Sequence, residues 1–114
     1  MINEIAQAAG LKLRKTRHQK PPSDTYGVYM DAVESGGADH VNCIRIHDYT
    51  LEIYAPTAEA ADIAESGIEN ALDERGIPWT KQGRYWLAEE QRYQEIYEFT
   101  HIEKRRITNG KENR

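Results

Sequence analysis

The chain has 114 residues, with 15 Lys and Arg against 19 Asp and Glu for a formal net charge of −4, and it is 39% hydrophobic. This length favours one domain whose core needs neither a disulfide nor a metal. The single cysteine, Cys43, excludes an internal disulfide framework and a multi-cysteine zinc site. The N-terminus has a glutamate where a signal peptide needs positive charge, which argues against secretion. No apolar stretch approaches the ~20 residues of a membrane span, which argues against membrane insertion.

The charge is unevenly distributed along the chain. Residues 12–20 carry five basic side chains and no acidic one, and residues 103–114 carry five basic and two acidic ones. Residues 21–102 carry five basic and sixteen acidic side chains. The sequence therefore predicts an acidic body between two basic segments. Such segments are typical of solvated tails, and they leave contact with a polyanion open.

The N-terminal residues predict a short helix that docks on the rest of the fold. Ile5 and Ala8–Ala9 form an apolar stripe, and Gly10 suits a left-handed C-cap. A helix of about seven residues does not persist alone in water. The basic stretch over residues 12–24 contains two adjacent prolines and has no periodicity, so we expect an exposed connection without regular structure.

Two strand-like segments follow. Alternation over Tyr26–Val33 predicts a strand, and Glu34–Asp39 has the composition of a turn. His40–Tyr54 is again strand-like, but its apolar residues change from even to odd positions after Ile46. Because a regular strand cannot place both sets on one core face, the pattern predicts a bulge or bend near His47–Asp48.

The clearest predicted element is a helix from about Ala58 to Arg75. Thr57 supplies an N-cap oxygen, and alanines, Ile68 and Leu72 recur at spacings of three and four. Gly76 suits the C-cap, and a proline two residues later prevents continuation. The helix presents a small-residue stripe suited to close packing on a sheet, with an acidic outer face.

Two closing strands follow, over Trp79–Leu87 and Gln91–Ile102, with Gly83 as a bulge or bend in the first. Both faces of the last strand carry apolar side chains: Tyr93, Tyr97 and Phe99 on one, Ile96 and Ile102 on the other. We expect one face to meet the helices and the other to meet a neighbouring subunit.

The element order contains no crossover unit suited to a parallel sheet. We therefore predict an α+β fold, with a mainly antiparallel sheet of about four strands and two helices packed on it. Residues 1–103 form a single domain that includes the exposed basic segment 12–24. Residues 104–114 form a basic tail that frays.

No motif demands catalysis, and we expect neither an enzyme nor a cofactor. Cys43 lies mid-strand among apolar neighbours, so an inert buried thiol is the favoured interpretation. Three histidines could serve it as a base: His40, His47 and His101. A metal site at His40 and His47, with Asp39 and Asp48, requires the predicted bulge to bring them together, and surface histidines are favoured instead.

The segment Trp79–Trp86 interleaves aromatic side chains with Lys81 and Arg84, which could stack on single-stranded bases. Because the surrounding body is acidic, packing of these aromatics on the core or on a partner is favoured. The alternative function is a small nucleic-acid-binding protein that uses its basic termini and this aromatic hairpin.

Four segments together resemble the tail terminator, or tail completion, proteins of long-tailed bacteriophages and prophages. They are an aromatic-rich first strand at Tyr26–Tyr29, the strand Ile44–Tyr54, an acidic helix ending at Leu72–Ile77, and the closing strand Tyr93–Phe99. Their order, spacing and total length carry the resemblance, which covers about residues 1–11 and 25–102. Gly27 departs from the pattern, because an apolar residue is usual there.

The resemblance implies a non-enzymatic structural protein of a virion, with a fold similar to tail-tube proteins and assembly in the bacterial host cytoplasm. Its members form a ring, typically a hexamer, that ends the tail tube and joins it to the head. The implied partners are further copies of the chain, the tail-tube protein and head–tail connector proteins, with non-specific DNA contact in the lumen and no membrane.

Two sets of residues are predicted to make these contacts. The DNA or partner contacts are Lys12, Arg14, Lys15, Arg17 and Lys20, which can reach phosphates without reading sequence. The subunit interface is expected at a turn and at the aromatic hairpin: Ser35, Gly36, Gly37, Lys81, Arg84 and Tyr85. Such a ring closes a heterologous interface, and unpaired sheet edges are suited to it.

Overall fold

The computed structural model describes residues 1–15, 23–36 and 42–106. In chain order the elements are α1 (Ile2–Ala8), β1 (Lys12–Lys15), β2 (Tyr26–Gly36), β3 (Asn42–Ala55), α2 (Ala58–Glu74), β4 (Trp79–Leu87) and β5 (Arg92–Arg106). The strands form one five-stranded sheet in the order β1-β2-β3-β5-β4, and the two helices make it an α+β fold. Neither helix is long and apolar enough to span a membrane.

The sheet has a strand that the sequence pattern did not predict. β1 lies within the segment expected to lack regular structure, and it pairs with β2 in parallel, whereas all other pairs are antiparallel. Leu11 and Leu13 pack toward the core and anchor this short strand. A Cβ at Gly27 would lie 2.7 Å from Leu11 Cδ2, so the glycine leaves the space that Leu11 fills. A four-residue strand is too short to show a period of two in the sequence.

The bulge predicted near His47–Asp48 is wrong. β3 pairs without interruption with β2 and with β5 along its whole length. The two apolar sets lie on opposite faces of β3. Tyr49, Leu51 and Ile53 lie under the helices, and Ile44 and Ile46 lie on the other face, nearer the start of the strand. The irregularity is in β4, between Lys81 and Arg84, where Gly83 has a φ of 118° as its glycine identity suggested.

Both predicted ends of α2 are confirmed. Thr57 Oγ1 accepts a hydrogen bond from the Ala60 amide at 3.0 Å, and the Ile77 amide donates to the Leu72 carbonyl beyond Gly76, whose φ is 66°. The core lies between the helices and one face of the sheet. Its most deeply buried residues are Ile5, Leu51, Ile53, Ile68, Leu72 and Tyr97.

The two helices approach each other closely at Gly67. A Cβ there would lie 3.0 Å from the Ala9 Cβ and 3.1 Å from its Cα, so α1 fits against α2 only because residue 67 has no side chain. This contact holds a helix that could not form alone.

We therefore expect Gly67→Val to lower the free energy of unfolding by about 1–3 kcal/mol, because the new side chain overpacks the helix contact. Ser66→Val is the matched control, since Ser66 is exposed on the same helix, and it should change stability by no more than about 0.5 kcal/mol. Urea unfolding measures both. Equal losses of stability in the two variants would show that the loss comes from placing valine in a helix and not from the contact with α1.

The three central strands are longer than their neighbours. β1 pairs with β2 only as far as Tyr29, and β4 pairs with β5 only as far as Phe99. Residues 30–36, 42–48 and 100–106 continue as a three-stranded extension, here called the arm. The molecule is accordingly elongated, with principal extents of 53 × 29 × 23 Å. None of the arm side chains that the structure describes belongs to the buried apolar core.

Candidate assembly surface

The arm has two strand edges that no described strand of this chain pairs. One is the β2 edge beyond Tyr29 and the other is the β5 edge beyond Phe99, and they lie on opposite sides of the sheet. An open edge presents backbone donors and acceptors to another strand. Ser35 and Gly36, which the sequence predicts at an interface, lie at the far end of β2, while Gly37 lies outside the described residues.

Apolar side chains are exposed along the arm. Ile102 on β5 is 55% exposed, and it pairs with Ile46 on the face away from the helices. Met30 and Val33 on β2 are also exposed, on opposite faces of that strand. Large exposed apolar side chains beside open strand edges are typical of protein–protein contact sites. The prediction that Ile102 lies on the face opposite Tyr97 is confirmed.

A groove of about 600 Å³ opens where the body meets the arm. It begins at Pro78 and Trp79, where β4 starts, and continues to Thr100 and Ile102 on β5. Asp48 and Glu98 contribute carboxylates to its lining. The groove therefore runs beside the open edge of β5 and combines an apolar surface with acidic groups.

A histidine links the three strands of the arm. His47 on β3 lies with its Nδ1 2.9 Å from Asp31 Oδ2 on β2 and its Nε2 3.2 Å from Glu103 Oε1 on β5. The Asp31 hydrogen bond, and then that of Glu103, raise the pKa of His47 against the effect of its partial burial. The imidazole also stacks on the Tyr49 ring at 5.6 Å.

The metal site considered from the sequence depended on a bulge in β3 that the described strand does not have. Without that bulge, His47 and Asp48 lie on opposite faces of an uninterrupted strand. Asp48 instead accepts a hydrogen bond from Thr100 Oγ1 at 2.7 Å. His40 and Asp39 lie outside the described residues, and within the described part no group of three or more ligating side chains is suited to a metal.

Three of the five predicted basic contacts lie on β1 and are exposed: Lys12, Arg14 and Lys15. Lys12 Nζ forms a surface ion pair with Asp24 at 3.1 Å, and this contact lowers the pKa of Asp24. The other two predicted contacts, Arg17 and Lys20, lie outside the described residues. β1 therefore gives the edge of the sheet a basic stripe.

The two cations of the aromatic hairpin bind acidic side chains within the chain. Arg84 Nη2 donates to Asp62 on α2 at 2.7 Å, and its Nε donates to Glu95 on β5 at 2.7 Å. Lys81 pairs with Glu65 on α2. Both cations thus fasten β4 to α2, whereas Tyr85, the third predicted interface residue of this hairpin, has an exposed ring.

Glu95 is the buried carboxyl of this network, with 1% of its surface exposed. Its Oε2 accepts from Arg84, and its Oε1 receives no hydrogen bond from the described residues. Burial and, after it, the neighbouring Glu65 carboxyl raise the pKa of Glu95 to about 7, against the opposing effect of Arg84. The neighbouring Glu95 carboxyl and the Lys81 cation lower the pKa of Glu65 to about 2, so Glu95 is the carboxyl of the pair that takes up a proton first.

The hairpin aromatics are divided between packing and exposure. Trp79 lies edge-on to Tyr97 at 5.6 Å and donates its indole N–H to Asp73 at 2.9 Å. Trp86 lies edge-on to Tyr93 at 4.8 Å but keeps about half of its surface exposed. With Lys81 and Arg84 held by α2, the hairpin has aromatic surface without the free cations that stacking on nucleic acid uses.

Among solved structures, this fold is similar to that of a chain in the virion of a native gene transfer agent (GTA) particle. The match has a TM-score of 0.58 and 15% sequence identity, and it covers 84% of this chain and 81% of that chain. No protein-family model and no curated protein matches the sequence. At this identity the similarity establishes a shared fold, over most of both chains.

The Arg84–Glu95 contact makes a testable contribution to stability. We expect Arg84→Met to lower the free energy of unfolding at about pH 8 by roughly 2–3 kcal/mol, because it leaves the Glu95 carboxyl buried without its cation. In a Glu95→Gln background the same change should cost less than half as much. Urea unfolding of the single and double variants measures the coupling.

Arg75→Met is the matched control, because the Arg75 guanidinium donates to the Ala71 carbonyl at the end of α2 and to no carboxylate of the described residues. It should cost no more than about 0.5 kcal/mol and should be insensitive to Glu95→Gln. An Arg84→Met loss that is the same with and without the Glu95 carboxyl would contradict the assignment.

Proposed function

We propose that the protein is a structural component of a phage or prophage virion, as a subunit of the ring that terminates the tail tube and joins it to the head. The observation that carries this proposal is the arm, whose two open edges face opposite ways in the sheet. The motif resemblance to tail terminator proteins supports it, and so does the fold shared with a chain of the gene transfer agent virion.

The two open edges favour head-to-tail association. If the β2 edge of one copy meets the β5 edge of the next, the same contact repeats around the assembly and leaves neither arm edge unpaired once the ring closes. Strand addition supplies backbone hydrogen bonds, and apolar side chains supply burial. Ile102 and Met30 flank these edges and are exposed in the single chain. This interface lies close to Ser35 and Gly36, two of the predicted contacts, at the end of β2.

The resemblance to tail terminator proteins is the basis for proposing a hexamer and for the choice of partners. Tail-tube protein would contact one side of such a ring and head–tail connector proteins the other. Lys12, Arg14 and Lys15 form an exposed basic stripe on an otherwise acidic body, so they are the candidates for contact with passing DNA. Their exposure and charge suit phosphates and carry no base readout.

The alternative is a small nucleic-acid-binding protein. Its aromatic hairpin loses both of its cations to the fold, because Lys81 and Arg84 are held by acids of α2. That function requires salt-sensitive binding to DNA by a protein that remains a monomer. The open arm edges have no part in it, and the ring is therefore the proposal that uses more of the structure.

Ile102→Lys tests the proposal, since it places a charge beside the open β5 edge without disturbing the core. We expect it to weaken self-association about tenfold or more, because a desolvated lysine opposes edge pairing. Sedimentation velocity over a concentration series, with and without tail-tube protein from the same genome, measures the association. Electron microscopy of the associated species should show closed rings.

Ile63→Lys is the control, since Ile63 is 72% exposed on α2 and lies away from the arm. It should assemble like the natural protein. A chain that stays monomeric at every concentration and with tail-tube protein present would overturn the proposed function. Equal assembly of the two lysine variants would show that the arm is not part of the interface.

A further inference from the structure

The contacts of His47 define its protonation state. Its Nδ1 and its Nε2 each lie within hydrogen-bond distance of a carboxylate oxygen, on Asp31 of β2 and on Glu103 of β5. Ionised carboxylates only accept hydrogen bonds, so both ring nitrogens must donate. Neutral imidazole has one N–H and imidazolium has two. The observed geometry is therefore that of a charged histidine bridging both neighbouring strands.

Asp31 depends on this cation. Its side chain is only 12% exposed, and its Oδ1 hydrogen-bonds to no described residue, so its charge is compensated chiefly through the Oδ2 contact with His47. A carboxylate this buried is costly when its partner becomes neutral. Glu103 is the more exposed partner, at 43%, and is better hydrated. Loss of the His47 proton thus affects the β2 contact most.

The other groups around His47 do not replace it. On β5, the His101 ring lies 6.2 Å away and forms no described hydrogen bond to either carboxylate. On β3 itself, Tyr49 stacks on the imidazole, and its pKa is raised to about 12 by burial, so it stays neutral. Arg45 lies in register with Glu103, one rung beyond His47. In this group, His47 is the cation that meets Asp31.

We propose that His47 is a proton-operated clip for the arm. As imidazolium it holds β2 and β5 against β3, and on deprotonation it releases β2 from β3 and loosens the arm. The clip belongs to the single chain. Its consequence for assembly, stronger ring formation at mildly acidic pH, rests on the proposed function, because the clipped strands are those that carry the open edges.

The sign of the pH dependence follows from the raised pKa of His47. A histidine with a raised folded-state pKa contributes its full stabilisation below its ordinary value, near about 6.5, and loses it as pH rises through the raised value. Each unit of increase corresponds to about a tenfold change in the opening equilibrium of the arm. The arm should therefore be most ordered at mildly acidic pH.

The test measures the histidine and the arm separately. An NMR titration of the side chains should give His47 a pKa above the ordinary histidine value of about 6.5. Hydrogen exchange, corrected for the intrinsic rate, should show arm amides losing about tenfold or more of their protection between about pH 6 and about pH 8.5, while α2 amides keep theirs. Asp31→Asn should lower the pKa of His47 and abolish this difference. His101→Gln is the matched control and should preserve it.

A His47 pKa at or below about 6.5, or equal arm protection at both pH values in the natural protein, overturns the clip. Assembly is then compared at the same two pH values. If arm protection follows His47 but no condition yields an oligomer, the ring proposal fails and the clip stands. If rings form equally at both pH values and equally with Asp31→Asn, the ring stands and the clip has no role in assembly.

Discussion

Backbone hydrogen bonding along the arm is the constraint on which the account depends. β2, β3 and β5 extend beyond β1 and β4, so a three-stranded sheet projects from the body with an open edge on each side. Such a sheet buries little apolar surface by itself, and two or three strands without a covering layer are marginally stable in water. Cross-strand polar contacts within the arm, and strands from another copy, are the two sources of stabilisation that its geometry admits.

The acidic body has a structural role that its net charge hides. Part of the acidic surface of α2 binds β4: Asp62 and Glu65 contact Arg84, and Glu65 also contacts Lys81. Buried Glu95 shares that network, which orients the edge strand β4 against the helix layer. His47 performs a comparable function in the arm, whose described side chains lie outside the buried core. Body and arm are thus each fastened by a cation between carboxylates on different elements.

Local signals predicted most of the fold. Thr57 and Gly76 mark the ends of α2, Gly83 marks the irregularity in β4, and the alternation of β5 shows that both its faces are apolar. β1 was missed because its anchoring depends on Gly27, twelve or more residues away, and the bulge was wrong because a change of phase can also mean a change of the covered face. The His47 contacts join positions separated by 16 and 56 residues, and those of Arg84 and Glu95 cross three elements, so no local pattern encodes them.

The most direct measurement of the central claim is intermolecular cross-linking between the two arm edges. Ala32 on β2 and Ile102 on β5 are both exposed and lie on the face away from the helices, so each is replaced by cysteine in a separate protein that carries Cys43→Ala. The two proteins are mixed and treated with a short bismaleimide. Head-to-tail pairing predicts cross-links between Cys at 32 and Cys at 102. Products that join only like positions, or no cross-linked product under conditions of assembly, would contradict it.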